Sequence, residues 1–77
     1  MENNIKNYCR QLISDQFHDL KMESSRKEVG AGTTTKFEFE GKKYIMEYTC
    51  FWEKADWAEY TLSGDGFDYK ETDFFDI

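Results

Sequence analysis

The chain has 77 residues and a formal net charge of −6, from 16 acidic and 10 basic side chains. This length allows one domain with a small core and a narrow margin of stability. No apolar run approaches the roughly 20 residues of a transmembrane helix, and an aromatic share of 18% excludes a disordered chain.

The first predicted element is a helix over residues 3–23. Its inward-facing side chains recur at spacings of three and four residues, as on one face of an α-helix. This stripe consists of Ile5, Cys9, Leu12, Ile13, Gln16, Phe17 and Leu20. The helix is predicted to fray over residues 24–28 and to end at the Gly30-Ala31-Gly32 sequence.

From Thr33 onward the period of the apolar side chains changes from 3.6 to 2, which predicts β-strands. Three strands are expected over residues 33–39, 43–52 and 57–63, with a short fourth strand over residues 67–70. Residues 71–77 are predicted to be an acidic and aromatic tail.

The parity of the strands predicts their register, because a slip of one residue moves the apolar side chains to the wrong face. A two-residue turn between the first two strands places Phe37 opposite Tyr44. A three-residue loop before the third strand places Phe51 opposite Trp57. The sequence therefore predicts a single α+β domain over residues 1–77, of order α-β-β-β(-β). One N-terminal helix packs on a three- to four-stranded antiparallel meander.

The sheet face away from the helix is predicted to carry two large aromatic side chains, Phe51 and Trp57, among polar ones. A polar outer face is ordinary for an antiparallel sheet. Aromatic anchors within a polar rim are typical of protein interfaces. Two interpretations stay open: the aromatic pair marks an interface, or the C-terminal segment folds back and covers it.

The net charge is concentrated in residues 53–77, which contain two basic and eight acidic side chains, whereas residues 1–52 are neutral overall. Such a field repels nucleic acid and anionic membranes and attracts basic protein surfaces. General solubility is the competing explanation of this charge.

No catalytic or metal-binding pattern is present in the sequence. The single histidine, His18, is expected at the surface of the helix. Cys9 and Cys50 fall on the inward faces of the helix and the second strand, which predicts two buried thiols rather than zinc ligands. The acidic run over residues 65–73 does not fit a calcium loop, since Lys70 stands where that loop needs glycine. We therefore expect a protein that is not an enzyme and that needs no cofactor or metal.

The residues predicted to bind a partner are the acids of the C-terminal third and the aromatic side chains near them. The set is Phe51, Glu53, Asp56, Trp57, Glu59, Asp65, Asp68, Glu71, Asp73, Phe74, Phe75 and Asp76, with Glu38 and Glu47 as additions. The expected partner is a basic protein or ribonucleoprotein surface. Direct binding to nucleic acid or to a membrane is not expected, because both are anionic.

In size and acidity the chain is similar to phage-encoded anti-CRISPR and anti-restriction proteins, although no motif identifies a family. That similarity implies an inhibitor whose carboxylates stand in for the phosphates of nucleic acid. An immunity protein or antitoxin that neutralises a basic toxin would use the same physics. A homo-oligomeric or adaptor module would instead use the open sheet face as a homodimer interface. No secretory signal is visible, so a cytoplasmic location is expected, in the host cell for a phage protein.

Overall fold

The computed structural model of the protein describes residues 2–24 and 30–77. One helix precedes four strands, which are α1 (Glu2–Glu23), β1 (Gly30–Phe39), β2 (Lys42–Phe51), β3 (Trp57–Gly64) and β4 (Lys70–Asp76). The strands form one antiparallel sheet in the order β1-β2-β3-β4. The predicted α+β fold, a helix followed by a meander sheet, is confirmed.

The helix α1 packs one side on the sheet, along the stripe that the sequence predicts. Ile5, Cys9, Ile13 and Phe17 recur every four residues and are all buried. Gln16 belongs to the same stripe and accepts a hydrogen bond from the Tyr48 hydroxyl. In the part of the chain that the structure covers, no helix has the length and apolar character needed to cross a membrane.

The sheet contributes one face to the core, and its register is the predicted one. Phe37 lies opposite Tyr44, and Phe51 lies opposite Trp57. The buried side chains of the two central strands are Tyr44, Met46, Tyr48, Cys50, Ala58, Tyr60 and Leu62. In the β1–β2 turn, Glu40 and Gly41 both have positive φ, of 50° and 79°. This is the two-residue hairpin turn whose twist matches that of the strands.

The first strand is longer than predicted, because Gly30-Ala31-Gly32 pairs with β2 instead of ending the helix. The two glycines allow a close approach of the chains. A Cβ at Gly30 would lie 2.7 Å from the Cys50 carbonyl oxygen, and one at Gly32 would lie 2.9 Å from the Thr49 Oγ1. The helix ends at Glu23, and the predicted fraying at residues 25–28 lies outside the described residues.

The fourth strand is also displaced from its prediction. It covers Lys70–Asp76 and pairs with β3 along its length, so the expected tail over residues 71–77 is wrong. The inward positions of this strand include Glu71 and Asp73. Two acids on the inner face hide the alternation of apolar and polar residues that identifies the other strands.

Of the residues first predicted to form the fourth strand, Lys70 begins β4 and residues 67–69 lie in the β3–β4 loop. Phe67 and Tyr69 pack edge-on against the Tyr44 ring, with centroid separations of 5.4 and 5.6 Å. The Gly64 amide donates a hydrogen bond to the Tyr69 carbonyl oxygen at 3.0 Å. The aromatic side chains of this loop therefore pack against one end of the core.

Both thiols are buried and free, as the sequence predicts. Burial raises the pKa of Cys9 and of Cys50 to about 11. We expect both thiols of the native protein to react slowly with Ellman's reagent near pH 8, because little thiolate is present and access is blocked. Both should react at once in guanidinium chloride. Rapid reaction of either thiol under native conditions would contradict their burial.

Candidate protein-binding surface

The open face of the sheet, on the side away from α1, carries a stacked aromatic pair. The rings of Phe51 and Trp57 are cross-strand neighbours, with centroids 4.3 Å apart and planes inclined by 19°. The Phe51 ring also covers Gly30 on β1, where an added Cβ would come within 3.0 Å of the ring. The two rings therefore form a fixed ridge across the ends of three strands.

Acidic side chains and a third aromatic ring border this ridge. Phe74 on β4 is 72% exposed, and its neighbour on β3 is Glu59. Asp76 lies beside Trp57. We call Phe51, Trp57, Glu59, Phe74 and Asp76 the aromatic-acidic patch. Each aromatic ring of β3 and β4 in this patch has a carboxylate as its neighbour on the adjacent strand.

The loop between β2 and β3 enlarges the negative surface at the same end of the sheet. This loop covers residues 52–56, and both of its acids, Glu53 and Asp56, are exposed. It also carries Lys54, which offsets part of the charge. The patch and this loop together contain four acids and one base.

The basic side chains of the open face lie toward its other end. Lys36 is opposite Ile45, Lys43 is opposite Glu38, and Lys70 is opposite Ser63. None of these lysines shares a cross-strand row with a residue of the patch. The open face is therefore negative and aromatic at one end and rich in lysine at the other.

A shallow groove of about 490 Å³ separates the two ends of the open face. Its lining includes threonines of all four strands together with Glu47 and Glu59. Within residues 2–24 and 30–77, the one ion pair is that of Arg10 with Asp73, so neither glutamate is neutralised by a described side chain. Both carboxylates can therefore meet a cationic group of a partner.

The remaining residues of the predicted binding set lie elsewhere. Asp65 and Asp68 are exposed in the β3–β4 loop, at the lysine-rich end of the sheet. Glu71, Asp73 and Phe75 lie on the side of β4 that faces the helix. The C-terminal acids therefore do not form one continuous surface.

Asp73 is bound within the protein by α1 and β3. Its Oδ2 accepts hydrogen bonds from Arg10 Nε at 3.2 Å, from Arg10 Nη2 at 2.9 Å and from the Tyr60 hydroxyl at 3.1 Å. The Arg10 guanidinium also lies over the Phe75 ring, 5.4 Å from its centroid. We call this set of contacts the Arg10–Asp73 latch, because it joins the helix to the outermost strand.

The sequence pattern places Arg10 on the polar side of the helix and gives no sign of the latch. The two residues are 63 positions apart, so no local spacing connects them. The available signal is indirect: an acid at an inward position of a strand needs a basic or hydroxyl partner.

The latch fixes the charge of its members. Burial acts to raise the pKa of Asp73, but hydrogen bonds from Arg10 and Tyr60 outweigh it and hold this pKa below its ordinary value. The bond to Asp73 raises the pKa of Arg10. Burial, followed by the charge of Asp73, raises the pKa of Tyr60. Asp73 is thus ionised at neutral pH, and its carboxylate already accepts hydrogen bonds from Arg10 and Tyr60 of the same chain.

Comparison of the chain with protein-family models, with curated proteins and with solved structures gives no match. Function is therefore inferred from the surface of the protein itself.

We expect Asp73→Asn to lower the free energy of unfolding by about 1–2 kcal/mol at neutral pH, since the charged hydrogen bonds are lost. A carboxyl whose pKa is lowered by folding stabilises the protein above its unfolded pKa, near 3.8. That stability is lost as the pH falls through the lower folded value. The variant should therefore show a flatter acid limb in urea denaturation measured down to about pH 2.

The control for this measurement is Asp68→Asn, at an exposed loop position that forms no ion pair with any described side chain. It should follow the parent chain at every pH. Parallel stability curves for the parent and Asp73→Asn would show that the latch does not contribute to acid unfolding.

Proposed function

We propose that the protein is a small, non-enzymatic inhibitor that docks its aromatic-acidic patch on a basic, nucleic-acid-binding surface of another protein. The observation that carries this proposal is the stacked Phe51–Trp57 ridge with carboxylates on its borders. Occupation of the partner's basic surface excludes nucleic acid from it.

The two kinds of side chain in the patch have different physical roles. Aromatic rings held in fixed positions supply contact area at a low cost in side-chain entropy, and such residues dominate the energy of interfaces. Carboxylates steer a basic partner toward the patch and pair with its lysine and arginine side chains. A mimic of nucleic acid needs both, since charge alone in water gives little affinity.

The sheet supports this role because it fixes the spacing of the charges. Adjacent strands lie about 4.8 Å apart, and alternate residues along a strand lie about 6.6 Å apart. Duplex nucleic acid also presents its charges at a regular spacing, with one phosphate of each strand for about every 3.4 Å of helix axis. Glu47, Glu59 and Asp76 lie on a diagonal across three neighbouring strands, and each is on the open face.

If the protein occupies the nucleic-acid-binding surface of its partner, added nucleic acid should displace the protein from that partner. The tagged chain should recover a basic nucleic-acid-binding protein from nuclease-treated native lysate at low salt. Added duplex DNA or RNA should then displace this partner, and high salt should release it. Recovery of the bait alone, or of a partner that nucleic acid does not displace, would contradict the proposal.

The position of the charge can be tested with two matched double variants. Glu53→Lys with Glu59→Lys reverses one exposed acid of the adjoining loop and one of the patch, and we expect the affinity for the captured partner to fall roughly tenfold or more by calorimetry. Asp65→Lys with Asp68→Lys makes the same change in net charge at the other end of the sheet and should weaken binding by less than about threefold. Equal losses for the two double variants would show that net charge, not the patch, determines binding.

The aromatic contribution is tested by Trp57→Ala. We expect this change to weaken binding by about 30-fold, more than any single acid substitution, because aromatic anchors at the centre of an interface carry most of its energy. Ile45→Ala, on the same face beside the lysines, is the control and should leave the affinity close to that of the parent. A folded Trp57→Ala variant with unchanged affinity would exclude the ridge from the interface.

A further inference from the structure

The outer edge of β4 has the features of an edge strand that can pair with a further strand. In the sheet order, β4 is an edge strand, and no other strand of the described chain covers its outer side. A groove of about 560 Å³ runs between this edge and the polar side of α1. On the open face of the same strand, Phe74 has 72% of its surface exposed. An edge of this kind presents unpaired backbone groups that template pairing with another chain.

We propose that β4 pairs with β4 of a second copy of this chain, antiparallel and about a two-fold axis that passes through Asp73. The two four-stranded sheets then form one continuous sheet, with both helices on the same face.

The fold restricts the registers that such a pair can adopt. A two-fold axis perpendicular to the sheet keeps the helix-facing and open faces of the two copies together. Directly opposite residues must then belong to the same face, so the axis must pass through a residue and not between two. An axis at Asp73 pairs all seven residues of Lys70–Asp76 with the second copy.

On the open face, this register places lysine opposite aspartate and covers the exposed Phe74 ring. Lys70 lies opposite Asp76 of the second copy, and this pair occurs twice by symmetry. Thr72 lies opposite Phe74, and the two Phe74 rings become diagonal neighbours. Lys70 and Asp76 form no ion pair with any described residue of their own chain. Opposite charges across a strand pair stabilise it, whereas like charges oppose pairing.

On the helix-facing side, the same register gives Arg10 a second partner. Glu71 of the second copy lies opposite Phe75, whose ring is covered by the Arg10 guanidinium of its own chain. Arg10 is 43% exposed, so its free side can receive this glutamate. The two Asp73 carboxylates come opposite each other, but each is already held by Arg10 and Tyr60.

Other registers of β4 match its charges poorly. An axis at Thr72 places Glu71 opposite Asp73 twice, and an axis at Phe74 leaves Lys70 without an opposite residue in the strand. The charges of β4 thus favour one self-pairing: the axis at Thr72 is opposed by like charges, and the axis at Phe74 forms no matched ion pair.

The other edge of the sheet, at β1, is a weaker candidate. The register that matches Lys36 with Glu38 of a second copy overlaps only residues 35–39. Residues 30–34 of the strand would then stay unpaired.

This dimer does not depend on the proposed inhibition, because it forms without a partner protein. It uses Phe74 and Asp76 of the patch, but it leaves Phe51 and Trp57 uncovered and places two copies of the ridge on one continuous face. The test is therefore made on the purified full chain alone, by sedimentation equilibrium over a range of concentrations.

Two single variants and their mixture give a sharp test. Lys70→Asp places two acids opposite each other at both ends of the paired strands, and Asp76→Lys does the same with two lysines. Each variant should weaken the dimer at least tenfold, roughly, since two matched pairs become two repulsive ones. An equimolar mixture of the two variants should recover the dimer, because the mixed pair contains lysine opposite aspartate at both ends.

The control is Lys36→Asp on the open face of β1, which makes the same charge change at the opposite edge and should leave the dimer intact. Circular dichroism checks that each variant is folded. A parent chain that stays monomeric at millimolar concentration would overturn the proposal. So would a dimer that Lys70→Asp and Asp76→Lys leave unchanged, or a mixture that associates no better than either variant alone.

Discussion

Burial of one face of the sheet under a single helix determines where every other side chain lies. The stripe of α1 meets the alternate residues of β2 and β3, and a slip of one residue in either strand would expose the buried side chains of that strand. In a chain of 77 residues such a loss could not be tolerated, since the stability margin of small domains is only a few kcal/mol. The register is therefore tightly fixed, and with it the composition of the open face.

The outermost strand depends on a different kind of contact. Only one inward position of β4, Phe75, is apolar, so hydrophobic burial contributes less there than in β2 or β3. The Arg10–Asp73 latch and the hydrogen bond from Tyr60 take over part of that role. Because Asp73 already has these partners, its negative charge is not offered to another protein. The acids that remain for binding are those of the open face and its adjoining loop.

The sequence predicted the elements that have one clear period. The stripe from Ile5 to Phe17 fits only a helix, and the alternation through β2 and β3 fits only one register of the strands. The helix, three strands and both hairpin registers could therefore be found. The inner face of β4 mixes Glu71 and Asp73 with Phe75, and that mixture is typical of a tail. Arg10 pairs with the Asp73 carboxylate across 63 positions of the sequence, and no local spacing reveals such a contact. The ridge of Phe51 and Trp57 was predictable because the parity of the strands and the length of the loop between them make the two residues neighbours.

The aromatic residues of the open face differ in how far the fold itself explains them. Phe51 covers Gly30, an edge glycine that leaves backbone exposed without such a ring. Trp57 stacks on Phe51 and completes that cover. Phe74 has no such role, because only Glu59 lies beside it within the sheet. A phenylalanine that is 72% exposed at a sheet edge adds little to the stability of the isolated domain, because little of its ring is removed from water. Its place between the ridge and the outer edge of β4 agrees with both proposals, since either a basic partner or a second copy of this chain would cover it.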